Sequence, residues 1–425
     1  MIQTLKNAWR VEEIRKKLLF TLIILLIFRI GNAIPVPYVN TAALQSYFTS
    51  LQNTVLGLLN VMSGGAFSQA TIFALSIQPY INASIIIQLL CIAIPALERM
   101  SKEEGEEGKK KIASITRYST VAIALLQGFA YYMLIKNNGL IVAEAKNSVW
   151  AAIVIVLTFT SGSALIMWLG EQITEYGIGN GISMILFAGI ISRFPVSIAS
   201  TISNVISGNL QWWVALLMYI GALAIIVLIV FVNDAERRLP VQYAKRVVGR
   251  KMYGGQSTHL PMKVNMSGVM PIIFAQSIAS LPATVAALTG HSNSAWARTN
   301  TIWYAVLYFA LIIFFAYFYS TIQFNPIEVA NNLKKNGGYI PGFRPGKPTS
   351  EFIQKVLNKI TLFGAIYLGI LATVPILISV FSTTASLTGL SLGGTSIIIA
   401  VGVALETVRA LEAQMIMRNY KGFLS

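Results

Sequence analysis

Asn53-Thr-Val-Leu-Gly-Leu-Leu-Asn-Val-Met-Ser-Gly-Gly65 sits inside a run of sixty-eight residues, between Arg29 and Glu98, that contains no Lys, Arg, Asp or Glu. The run is too long for one membrane span, which takes roughly 20 apolar residues, and its middle is too polar to be one. It reads as a span, an external excursion, a re-entry and a second span. Within the excursion Val55, Leu58, Leu59 and Met62 fall at i, i+3, i+4 and i+7, one face of a helix. This helix is uncharged, too short to span, and ends at a hinge, Gly64-Gly65. Irregular backbone at membrane depth survives only where protein or a water-filled cavity covers it. The stretch therefore predicts a cavity or pore with a movable piece in it.

The rest of the chain agrees with a membrane protein. Hydrophobic residues make up 55% and charged residues 11% of the 425, against about 25% charged in a soluble domain. Ten apolar stretches lie near 18–37, 71–97, 112–135, 149–170, 178–200, 211–233, 266–288, 301–324, 360–381 and 391–412. The expected fold class is all-α, polytopic, with a half-helix in the external excursion. The basic segment Lys6 to Lys17 leads into a full-length span without a small-residue cleavage site, unlike a removable signal.

Loop charge sets the orientation, because cytoplasmic loops are enriched in Lys and Arg. With both ends inside, the external side holds only Lys136, Lys146, Arg193 and Arg298. Arg29 falls within the first span, toward its outer end, where carbonyls or lipid phosphate would satisfy it. The cytosolic side holds the other 27 of the 32 basic residues. Ten spans divide into five plus five, so residues 1–208 and 209–425 would form two halves of opposite orientation. Such inverted halves place a central site where they meet.

What the spans lack narrows the function. Ion-coupled transporters bury ionisable residues at mid-membrane, and here these are almost absent. Glu406 and Arg409, one turn apart in the last stretch, are expected to pair with each other. Cys91 is a lone cysteine and reads as an ordinary helix residue, and His259 and His291 lie in different loops, so no metal cluster is expected. Gly177-Ile-Gly-Asn-Gly181 lacks the strand-turn-helix context of a phosphate loop and reads as a tight turn. No nucleophile–base pair suggests an intramembrane enzyme, and no cofactor is expected. The remaining polar groups are amides: Asn82, Gln88, Gln127, Gln276 and Gln323. Their ordinary use is interhelical hydrogen bonding. Asn82, Gln88 and Gln276 gathered at one helix contact would make a weak, separable seam.

Two cytosolic loops exceed what a connector needs. Loop 234–265 carries Glu236-Arg-Arg238, Lys245-Arg246, Arg250-Lys251 and Lys263. Loop 325–359 carries Gly337-Gly-Tyr-Ile-Pro-Gly-Phe-Arg-Pro-Gly346, whose glycines and prolines disfavour helix and display Arg344. Scattered basic residues suit anionic lipid; two long basic loops suit a large anionic partner as well. The mixed-sign stretch 98–117 reads as a solvated hairpin.

Four motifs resemble the bacterial SecY family. They are Ser63-Gly-Gly-Ala-Phe-Ser-Gln-Ala-Thr-Ile-Phe-Ala-Leu-Ser-Ile-Gln-Pro-Tyr-Ile-Asn-Ala-Ser-Ile-Ile-Ile-Gln-Leu-Leu90, Trp168-Leu-Gly-Glu-Gln-Ile-Thr-Glu-Tyr-Gly-Ile-Gly-Asn-Gly-Ile-Ser183, Ser257-Thr-His-Leu-Pro-Met-Lys-Val-Asn265 and Pro341-Gly-Phe-Arg-Pro-Gly346. The resemblance implies a protein-conducting channel in the bacterial plasma membrane, passive in itself. It implies a plug at about 53–65, built on Val55, Leu58, Leu59, Met62, Gly64 and Gly65. It implies an apolar pore ring of Ile77, Ile81, Ile182, Leu186, Ile273 and Ile399, with Leu186 where a β-branched residue is often found. Asn82, Gln88 and Gln276 become lateral-gate candidates. Lys245, Arg246, Arg250, Arg344 and Tyr420 fall where the family meets the ATPase SecA or the ribosome. SecE, SecG, signal-bearing pre-proteins and anionic lipids are the other implied partners. A small-solute secondary transporter is the rival, and the scarcity of buried charge argues against it.

Overall fold

The computed structural model describes residues 8–50, 55–102, 105–145, 148–208, 210–243, 246–248, 251–253, 257–282, 285, 301–381 and 388–421. Helices dominate, and each of the ten apolar stretches contains one. Among the described residues, six helices are long and apolar enough to cross a membrane: those within 105–137, 149–176, 181–206, 212–234, 302–335 and 347–378. Gln78–Ala93 and Met270–Ala279 are apolar but shorter.

The first helix, α1, runs Glu12–Gly31, and α2 covers Thr41–Ser50. The half-helix α3 spans Val55–Met62, about 12 Å at 1.5 Å per residue. A series of turns over 63–77 then leads into α4, Gln78–Ala93, whose start suits Pro79 because the first helical N–H needs no partner. Helix α5 is Pro95–Lys102, α6 Gly105–Asn137 and α7 Val149–Tyr176. The mixed-sign stretch 98–117 is built from two helix ends, with Glu106, Glu107 and Lys109 to Lys111 exposed.

Between α7 and α8 (Gly181–Ile191) the turn is as tight as expected. A Cβ on Gly181 would lie 1.9 Å from the Gly170 carbonyl, so only hydrogen fits. Asn180 caps α8, its side chain accepting from Ile182 and Ser183 N–H. The chain then breaks at Ser192-Arg193 before α9, Phe194–Ile206, and continues as α10, Trp212–Asp234. The second part holds α11 (Met270–Ala279), α12 (Ile302–Gln323), α13 (Pro326–Lys335), α14 (Lys347–Phe381) and α15 (Thr388–Lys421).

The segment after α10 is not loop. β1 (Glu236–Tyr243) pairs antiparallel with β4 (Ser257–Lys263), from Glu236 opposite Lys263 to Gln242 opposite Ser257. β2 (Arg246–Val248) pairs with β3 (Lys251–Tyr253), and β5 (Gly338–Tyr339) adds to the other edge of β1. Leu239 and Val241 alternate inward along β1, the two-residue period of a half-buried strand. With Met262, Leu333, Ile340, Ile353 and Leu357 they form one apolar cluster. β1 and β4 therefore pack with α13, β5 and the start of α14 into one body, which their basic sequences hide.

The largest core draws on α1, α3, α4, α7, α8, α10, α11, α12, α14 and α15, so helices from residues 1–208 and 209–425 share it. A second core, with Leu44, Phe48, Leu56, Phe67, Tyr131 and Phe159, packs α2 and the turns after α3 against α6 and α7. Outward faces are apolar too: Leu217, Leu223, Val227 and Phe231 of α10 are exposed. An exposed apolar helix face of this kind suits lipid as its solvent.

Candidate functional site

Six apolar side chains from four helices meet in the largest core. Ile77 is the N-cap residue of α4 and Ile81 lies one turn in. Leu186 comes from α8, Ile273 from α11 and Ile399 from α15, and all five are nearly inaccessible. Ile182, at the start of α8, is half-buried against the same cluster. A collar of this composition offers a passing polar chain no lasting partner and resists wetting.

Met62, the last residue of α3, belongs to this core and is 1% exposed. Two amides reach its thioether. Gln276 Nε2 of α11 donates to Sδ at 2.9 Å and Gln78 Nε2 of α4 at 3.4 Å. Ser277 Oγ closes the α4–α11 contact on Gln78 Oε1 at 3.4 Å. Sulfur is a weak acceptor, and Gln276 Oε1 is buried without a partner among the described residues. The seam is thus held by weak and incomplete polar contacts, which lowers the cost of parting it.

Leu59 touches both cores, so α3 stands between them. Gly57 and Leu56, outside the predicted face, are buried as well. The side chains of Val55 and Leu58 lie outside the described set, as do residues 53 and 54. After Met62 the chain turns through Gly64 (φ 70°) and Gly65 (φ 92°), a left-handed pair that other residues resist. Asn60 pins this turn, its Oδ1 accepting from Ser68 N–H at 2.9 Å and its carbonyl from Gly65 N–H at 2.8 Å. Asn32 Nδ2 donates to the Ser63 carbonyl at 3.3 Å. Arg29 and Arg193 flank the hinge: Cβ atoms on Gly64 and Gly65 would lie 3.2 Å from Arg29 Nη1 and 2.9 Å from Arg193 Nη1. Arg29 is therefore set against the hinge, an arrangement its place in the first apolar stretch does not reveal.

The three gate-candidate amides make different contacts among the described residues. Gln276 bonds Met62 beside Gln78. Asn82 lines a cavity with Leu59, Phe67, Gln78, Gln127 and Ser280. Gln88 Nε2 donates to Ser84 Oγ at 3.3 Å and its side chain bonds Tyr319 of α12. Six residues separate Asn82 from Gln88 along α4, and the cavity at Asn82 also borders Leu281, just past the end of α11. Gln78 and Ser277 are the seam residues missed in sequence. Nothing in the sequence marks the reach of Gln78 to α11.

Glu406 and Arg409 do not pair. Arg409 Nη2 donates to Asp234 Oδ1 at 2.5 Å and to the Asn233 carbonyl at 2.6 Å, at the C-terminal end of α10. Glu406 accepts instead from Val269 N–H at the start of α11. Each charge goes to the helix end of opposite partial sign, which outcompetes a short same-helix pair.

Arg344 is exposed and has no side-chain partner among the described residues. Its carbonyl accepts from Thr349 Oγ1 at 2.8 Å, and Phe343 stacks on Phe352 at 4.1 Å, so the turn is fixed while the guanidinium is presented. Arg246 lies in β2 and Tyr420 in α15, but their side chains, and residues Lys245 and Arg250, fall outside what is described.

A SecY family model matches residues 71–408. The chain belongs to the SecY family. Its similarity to SecY proteins extends over the full length. A protein translocase subunit SecY of Streptomyces scabiei is 45% identical over 442 residues, covering 100% of both chains. One of Mycobacterium tuberculosis (strain ATCC 25618 / H37Rv) is 42% identical over 446 residues, again covering 100% of both. Among solved structures, one described as the structure of a protein conducting channel aligns with a TM-score of 0.67 at 17% identity, covering 95% of this chain and 93% of the other. The Sec61 of a canine ribosome–channel complex aligns with a TM-score of 0.62 at 16% identity, covering 95% and 93%. These structural likenesses speak to the fold. SecY-family membership makes the chain a multi-pass membrane protein and a channel-forming translocase subunit, not an enzyme. All six ring candidates fall within the matched residues, whereas α3 precedes them.

Proposed function

We propose that this chain is the central subunit of a protein-conducting channel in the bacterial plasma membrane, with ten spans in two inverted halves, 1–208 and 209–425, and both termini cytoplasmic. The observation that carries the reading is the convergence of Ile77, Ile81, Leu186, Ile273 and Ile399, from four helices, in one core with Met62 at the tip of the half-helix. In this reading the six apolar residues form the constriction and α3 is the plug that closes it. An extended pre-protein passes through the collar once α3 leaves. A signal sequence, itself an apolar helix, parts α4 from α11 and exchanges into lipid. Burial of its apolar face drives the insertion. The amide contacts to Met62 and the Gln78–Ser277 contact are what it must break.

The chain holds no energy-transducing motif, so work comes from a partner. The packed body of β1, β4, β5, α13 and the Gly337–Gly346 turn is the docking surface for SecA or the ribosome, with Arg344 exposed on a fixed turn. Solved relatives described as bound to ribosomes support the second partner. SecE and SecG complete the membrane complex, and anionic lipid headgroups face the remaining basic residues.

Reconstitution tests this. The chain is placed in liposomes with SecE, and SecA, ATP and a signal-bearing pre-protein are added. The expected outcome is ATP-dependent protection of the pre-protein from external protease, lost when the chain is omitted. Absence of protection, with a known translocon working in parallel, would contradict the reading.

A further inference from the structure

Helix α10 ends at Asp234 and α11 begins at Met270, and the β1–β4 hairpin is inserted between the two ends. The base of the hairpin is closed by Val264 N–H donating to the Ala235 carbonyl at 3.0 Å. Helix ends carry partial charge, negative at the C-terminus and positive at the N-terminus. One helix, α15, serves both ends. Its Arg409 grips the end of α10 through Asp234 and the Asn233 carbonyl. Its Glu406, one turn earlier, takes the N–H of Val269, the N-cap residue of α11.

The approach of Glu406 is close enough to dictate sequence. Gly268 has φ 62°, and a Cβ there would lie 2.3 Å from Glu406 Oε1. Asn265 Nδ2 donates to Asn233 Oδ1 at 2.8 Å, tying the residues before α11 to the end of α10. Lys263, the last residue of β4, completes the group. Its ammonium is pushed below the ordinary lysine range by burial first and by Arg409 second, with Glu406, Asp234 and Glu236 acting against this. Asn233, Lys263, Asn265, Gly268, Glu406 and Arg409 border one polar cavity of about 130 Å³. The covalent path from the hairpin to α11 runs through this base, residues 264–269.

We infer that Glu406 is a positioning residue that holds the N-terminal end of α11 in its resting place, and that the Glu406–Arg409 grip is the joint through which load on the β1–β4 hairpin is delivered to α11. This rests on the reading of α11 as a gate helix and of the hairpin as part of the docking surface. Loss of the grip frees α11 at rest and uncouples it from the motor.

The test uses the SecE-containing complex in liposomes, with Cys91→Ser as background and two cysteine pairs. Gln78→Cys/Ser277→Cys reports the α4–α11 seam, and Val39→Cys/Ile141→Cys reports a contact in the second core, remote from the joint, where the two residues form an antiparallel bridge. Disulfide formation is timed with and without SecA and a non-hydrolysable nucleotide. Glu406→Ala and Gly268→Ala should each slow the seam disulfide roughly three- to tenfold at rest, the range a partly buried charge at a helix end supplies. Combined, they should add nothing, because both remove one contact. Glu406→Gln, which still accepts from Val269, should recover part of the rate. SecA should slow the seam in the parent and have little further effect in Glu406→Ala, while the remote pair keeps its rate throughout. Unchanged seam rates, additive effects, or equal slowing of the remote pair would overturn the inference. Pre-protein transport by the parent complex is measured alongside. Intact transport with an unaffected seam refutes the joint alone, whereas failed transport refutes the channel reading and the joint with it.

Discussion

Ile81 and Ile273 approach the same core from α4 and α11, and both are almost wholly excluded from solvent. In the proposed channel their role is negative: an isoleucine collar offers neither hydrogen bonds nor charge, so water and ions gain nothing by entering. Replacing both by asparagine supplies two amides to a dry constriction. Ile81→Asn with Ile273→Asn should raise ion conductance in planar bilayers at least about tenfold, equivalent to roughly 1.4 kcal/mol off the barrier. Conductance equal to that of the parent would remove these residues from the seal. The residue scale is also where sequence reading was weakest. The apolar ring positions came from a motif resemblance, since along the chain they look like any packing isoleucine. Gln78 and Ser277 were missed because a seam is a property of two helices 199 residues apart. Glu406 and Arg409 were paired wrongly because a same-helix neighbour is visible in sequence and a distant helix end is not.

At the scale of elements, the half-helix was legible. An uncharged amphipathic segment too short to span, followed by Gly64-Gly65, predicted a short helix and a hinge. The helix runs Val55–Met62 and both glycines take left-handed backbone. What the sequence hid was its setting between two cores, with a thioether shared by two amides. If α3 is the plug, a disulfide joining an introduced cysteine at Leu59 to one on the facing wall should arrest translocation. Normal transport at full crosslinking would count against that role. The segments 234–265 and 325–359 read as basic loops because Arg and Lys outnumber the few inward residues. Alternation at Leu239 and Val241 was the available sign of a strand. Arg344, by contrast, was placed correctly on a rigid exposed turn by its glycines and prolines. Arg344→Glu reverses charge there and should reduce SecA-driven transport by about tenfold or more, the loss of a charge-assisted contact, while the complex still assembles. Transport at the parent rate would refute docking at this residue.

For the whole molecule, composition alone identified a membrane protein, and hydropathy located helices in all ten apolar stretches. Six of those helices meet the length and hydropathy of a span by themselves. Gln78–Ala93 and Met270–Ala279 are shorter among the described residues, and they contribute to the central core alongside span-length helices such as α7 and α12. The extensive apolar exposure of α10, against the polar joint at its C-terminal end, separates a face suited to lipid or to membrane partners from the part proposed to transmit load.

In the proposed channel a pre-protein crosses through the core to which Ile77, Ile81, Ile182, Leu186, Ile273 and Ile399 contribute. A direct test stalls a pre-protein in mid-transit and places a photoreactive amino acid, one position at a time, at these six sites and at Leu223 on the exposed face of α10. Crosslinks to the stalled chain are expected from the six core positions and none from Leu223. Crosslinks absent from the core positions while the pre-protein is verified in transit would contradict it.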